Sequence, residues 1–183
     1  MSNERRERLD ELLSQLRQRR YEEQFRKDLP HDLWVAEELL GRPRETFQLR
    51  TDPEVRTIGK KATAAVSEIL HRERGERVRE PDRVAVLSDA ASAKQVFMKA
   101  AEAIGLRDGL LFLDNFGSMA AIESDATEVA WRLGHLDENE SMSLVSDTAD
   151  RGLEVYRDLT EAGVYGWEIV VWRQVGEHIE HVP

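Results

Sequence analysis

The chain has 183 residues, 40 % of them hydrophobic and 34 % charged, with a formal net charge of −10. That length fits one domain of ordinary size with an appendage, and the lack of cysteine removes disulfides, cysteine-zinc sites and a cysteine nucleophile together. Residues 1–83 carry 19 Lys/Arg against 18 Asp/Glu, but residues 84–183 carry 7 against 18, so the second part repels phosphates and nucleic acid is not an expected partner.

The opening segment, 3–28, predicts a helix. Leu9, Leu12, Leu13 and Leu16 form a stripe that Tyr21, Phe25 and Leu29 continue loosely, and Pro30 is expected to end it. Arg17, Arg19, Arg20, Arg26 and Lys27 make a basic patch that Glu22 and Glu23 interrupt, which reads as a solvated face. A second short helix is capped by Asp32, and Gly41 with Pro43 stops it. Residues 1–45 therefore read as a helical amino-terminal extension. The first residues have no apolar stretch behind them and no later run is long enough to span a bilayer, so the expected compartment is the cytoplasm and no membrane contact is expected.

Residues 46–183 read as one α/β domain. Residues 46–50 alternate weakly, as an edge strand does. A helix then starts at Asp52 and Pro53, with the stripe Val55, Ile58, Ala62, Ala65, Val66, Ile69 and Leu70. Strands are predicted at 84–87, 110–113, 142–145 and 167–175, the last turning into a short antiparallel edge strand. Between them lie three expected helices: one through Ala93, Phe97 and Ile104, one from Ser118 through Ile122, Val129 and Leu133, and one burying Ala149, Leu153, Tyr156 and Leu159. Residues 87–91, Leu-Ser-Asp-Ala-Ala, return as 145–149, Val-Ser-Asp-Thr-Ala, and in the same register Gly105 falls on Gly163. Segments 84–113 and 142–171 thus read as duplicated strand–helix–strand units. The predicted fold is a mostly parallel sheet flanked by helices, with a ferredoxin-like α+β sandwich as runner-up.

Ligands of parallel sheets bind outside the carboxyl ends of the strands, where this reading places Asp89, Asp147 and Asp150. Such carboxylates could hold Mg²⁺, or they could simply cap helices. The order of elements, with Gly117-Ser118 and then Asp147 through Gly152, resembles the Toprim domain of topoisomerases, primases and small RNA-maturing nucleases. The resemblance implies a Mg²⁺-dependent enzyme acting on nucleic acid through Asp89, Asp147 and Asp150. The family's glutamate after the first strand has no counterpart here, and the two later aspartates are three apart rather than two.

Glycine-rich phosphate loops and a Gly-x-Ser-x-Gly elbow are absent, and His178 with His181 would point to opposite faces of a strand. The leading expectation is consequently a small acidic interaction or regulatory protein, or a subunit of a larger assembly, that needs no cofactor. It binds a protein partner or a second copy through Leu9, Leu12, Leu13 and Leu16. The competing expectation is the Mg²⁺-dependent enzyme.

Overall fold

A computed structural model describes residues 3–75, 87–159, 165–175 and 178–181. The expected strand at 84–87 lies outside these residues except for Leu87, as does Gly163.

Helix α1 (Asn3–Leu40) is one continuous helix of 38 residues, and Pro30 lies inside it. A proline there loses a backbone hydrogen bond and crowds the preceding turn. The helix survives because the chain on both sides of Pro30 is anchored: Phe25, Leu29 and Leu33 pack on the core, and Ala36, Leu39 and Leu40 lie within it. The expected break into two helices is corrected by that anchoring.

Helix α2 (Pro53–Gly75) starts as predicted, the Asp52 carboxylate accepting hydrogen bonds from the backbone N–H groups of Glu54 and Val55 at 3.1 Å each. Helix α3 (Ala90–Ala103) is capped by Asp89, which accepts from the Ser92 backbone N–H at 2.8 Å. Helix α4 (Ala126–Arg132) is capped by Asp125, not by Ser118.

Seven strands form one sheet: β1 (Leu49–Arg50), β2 (Asp108–Leu113), β3 (Ala121–Asp125), β4 (Ser141–Val145), β5 (Arg151–Leu159), β6 (Tyr165–Val175) and β7 (His178–His181). Their order is β1-β3-β2-β4-β5-β6-β7, and every neighbouring pair is antiparallel. The mostly parallel sheet is therefore wrong, and the α+β sandwich of the runner-up reading fits. Two segments cause the difference. Residues 121–125, expected inside a helix, form β3 and reverse the chain beside β2. Residues 151–159, expected as a helix, form β5 in a tight hairpin with β4.

That hairpin explains why the repeated Ser-Asp motif does not repeat a structure. After Leu87 the chain enters α3; after Val145 it turns on Ser146, whose Oγ accepts from the backbone N–H of Asp150 at 3.2 Å and donates to the Asp150 carboxylate at 2.6 Å. Ala149 takes a left-handed φ of 53° there. Beyond it, Leu153 and Val155 alternate with Glu154 and Tyr156, and period two wins over the helical spacing of Leu153 and Tyr156.

Both sheet faces are covered. Leu111, Leu113, Met142, Leu144, Leu153, Val155, Trp167, Ile169 and Val171 point toward α3, α4 and the carboxyl-terminal half of α1. Leu110, Phe112, Val145, Val170 and Trp172 point toward α2. Trp167 and Trp172 lie on opposite faces as their spacing requires, and both are core; Trp167 donates from Nε1 to the Leu133 carbonyl at 2.9 Å. Gly152 opposes Trp172 across β5 and β6, and a Cβ there would lie 2.7 Å from the indole, so glycine makes room for the ring.

Candidate functional site

The three aspartates expected to share a metal are not brought together. Leu87 pairs with Trp167 near one end of β6, whereas Arg151 pairs with Arg173 near the other. Six residues of strand separate these points, about 20 Å at 3.3 Å per residue. Past Leu87 the chain runs farther from Arg173, because the bridge is antiparallel. Asp89 caps α3, and its carboxyl lies below the usual range because of hydrogen bonds from the Ser92 backbone and side chain. Asp150 is held low by hydrogen bonds from Ser146 and Thr148 within the hairpin turn. Asp147 lies near Arg50, whose pKa is raised chiefly by its hydrogen bond to Asp52 and to a smaller extent by the Asp147 charge. Among the described residues, no group of three histidines or carboxylates is placed to hold a metal ion.

A small cleft of about 170 Å³ opens between α2 and the sheet, lined by Gly59, Thr63, Phe112, Asp114, Ser141 and Glu154. Its polar groups satisfy one another. Asp114 accepts from the Ser141 backbone N–H at 2.8 Å and from its hydroxyl at 2.7 Å, fixing the start of β4. Glu154 accepts hydrogen bonds from Tyr156 and Ser143, yet burial pushes its carboxyl above the usual range. Burial and the Glu154 charge also raise the Tyr156 phenol. These pairings hold the sheet and leave few groups directed at a ligand.

The arm of α1 is different. Residues 5–20 are all exposed, a length of about 25 Å at 1.5 Å per residue. The arm leaves the body at Glu22, whose carboxylate accepts from Gln18 at 3.1 Å and from Arg56 of α2 at 2.7 Å. Before that clamp, Leu9, Leu12, Leu13 and Leu16 are 49 %, 56 %, 40 % and 52 % exposed.

The leucine stripe does not continue the face that packs on the core. At about 100° per residue, its centre lies roughly 150° around the helix from the centre of Phe25, Leu29, Leu33, Ala36 and Leu40. The two apolar faces are back to back, which corrects the single loose stripe expected from Leu9 through Leu29. The body cannot cover the leucines without turning the helix over. Sequence periodicity carries this signal, because on one continuous helix the two sets of residues differ in phase.

Comparison of the chain with protein-family models, with curated proteins and with solved structures gave no match. Among the described residues, no helix is long and apolar enough to cross a membrane.

Proposed function

We propose that this protein is a non-catalytic interaction or regulatory module, or a subunit of a larger assembly, which binds a protein partner through the leucine face of its helical arm. One observation carries the reading: four leucines lie exposed on a helix segment that the body does not support, on the side turned away from the core. An isolated amphipathic helix of this length is marginal in water, and burying its apolar stripe against a partner stabilises it. The exposed leucines do not serve the fold, since both faces of the sheet are already covered.

The test is the paired substitution Leu12→Asp with Leu16→Asp in the full chain. Light-scattering mass and co-purification are compared with the unsubstituted protein, with circular dichroism as a check of folding. The expected result is a folded monomer that has lost its associations. Unchanged mass and an unchanged set of bound proteins in the folded variant would refute the reading.

A further inference from the structure

The charges of the arm sort by face as its leucines do. At about 100° per residue, Arg5, Arg6, Arg8, Arg17, Arg19 and Arg20 all fall within about 90° of the centre of the leucine stripe. Glu7, Asp10 and Glu11 fall more than about 100° from it, on the side that carries the core contacts farther along α1. Among the described residues, none of the six arginines forms a salt bridge, whereas Glu11 accepts from Gln15 and Glu22 from Gln18 and Arg56. The leucines are thus bordered on both sides by unpaired cations.

Resting on the reading of the arm as an interaction surface, we infer that its partner is an acidic amphipathic helix, with an apolar seam edged by aspartate or glutamate. The stripe spans two helical turns, the dimension of a helix–helix seam, and positions beside such a seam set partner choice through charge. A second arm fits poorly. Whether two arms run parallel or antiparallel, arginine meets arginine on both sides of the leucines. The chain's own body is acidic, but the stripe faces away from it.

The full chain is titrated against two fluorescent synthetic peptides, with anisotropy as readout. One peptide has the arm's own sequence over residues 3–21. The other has Arg5, Arg6, Arg8, Arg17, Arg19 and Arg20 each exchanged for glutamate. The acidic peptide is expected to bind at least about tenfold more tightly than the arm's own sequence, with an advantage that shrinks as salt rises. Arg19→Glu with Arg20→Glu in the full chain should remove most of that advantage, and Leu12→Asp should abolish binding. Equal or tighter binding of the arm's own sequence would overturn the inference in favour of self-pairing and leave the arm an interaction surface. Failure of the chain to bind either peptide would overturn the inference alone, since the association test on the Leu12→Asp, Leu16→Asp chain is independent of it. Tighter binding to phosphatidylserine vesicles than to the acidic peptide would overturn both, because a lipid surface would then be the ligand. Peptide binding that survives Leu12→Asp would show charge attraction without the seam, and it would overturn the inference while the association test still decides the reading of the arm.

Discussion

Arg56 of α2 reaches across to Glu22 of α1 and holds its carboxylate at 2.7 Å, at the point where α1 leaves the body. Hydrogen bonds from Gln18 and Arg56 keep the Glu22 carboxyl below its usual 4.5. A lowered carboxyl contributes stability above its unfolded pKa and loses it as pH falls through the folded value. The clamp should therefore hold at neutral pH and release on acidification below about 4.5. Arg56→Ala should speed amide hydrogen exchange in α1 around residues 18–26 at pH 7 and leave the exchange of α3 and α4 unchanged. Exchange in α1 that matches the unsubstituted protein would contradict the clamp.

Gly152→Ala places a methyl group against Trp172, which is nearly fully buried. The ring has no room to withdraw, so overpacking should cost about 1–3 kcal/mol, seen as a lower midpoint in urea unfolding with unchanged slope. Neutral behaviour would mean that β5 and β6 separate more easily than their register implies.

Glu154 carries a raised carboxyl, and the sign is opposite to that of Glu22. Its folded form favours the proton, so the stability it contributes is present below the unfolded pKa and is lost as pH rises through the folded value. Glu154→Gln keeps an acceptor for Ser143 and Tyr156 and removes the ionisation. Its melting temperature should exceed that of the unsubstituted protein by about 2–4 °C at pH 7, with the gain vanishing near pH 4. An equal gain at both pH values would show that ionisation is not the cause.

Asp89 accepts from the Ser92 backbone and hydroxyl as the cap of α3. Asp89→Asn retains a capping acceptor and should melt close to the unsubstituted protein, whereas Asp89→Ala should melt lower. Asp147→Ala, in an exposed turn, should have the smaller effect of the two alanine variants. If Asp89→Asn and Asp89→Ala lose stability equally, the carboxylate charge matters beyond the cap.

Much of the chain was legible before its tertiary structure. Asp52-Pro53 marks the start of α2, Val55 through Ile69 gives its buried stripe, and the runs at 110–113, 142–145 and 167–175 are strands. These elements follow from local chemistry: a carboxylate beside free N–H groups, a fixed proline φ, and apolar runs covered on both faces. Sheet direction was not local. Residues 121–125 fit the helical spacing of Ile122 with Val129 and Leu133, yet they form β3 by pairing along β2. Residues 151–159 satisfy both periods, and the Ser146–Asp150 turn selects the strand.

The same division runs through the candidate site. The four leucines and six arginines, and their sharing of one helical face, follow from the sequence once residues 5–20 are helical. That Pro30 does not break the helix between the two sets, and that residues 25–40 rather than the leucines are the anchored set, is decided by packing. Burial of Phe25, Leu29, Leu33 and Ala36 against the core fixes the rotation of α1 and turns the leucines outward. Short-range rules determine which residues are neighbours along the chain; only the competition for a common core decides which face is left for a partner.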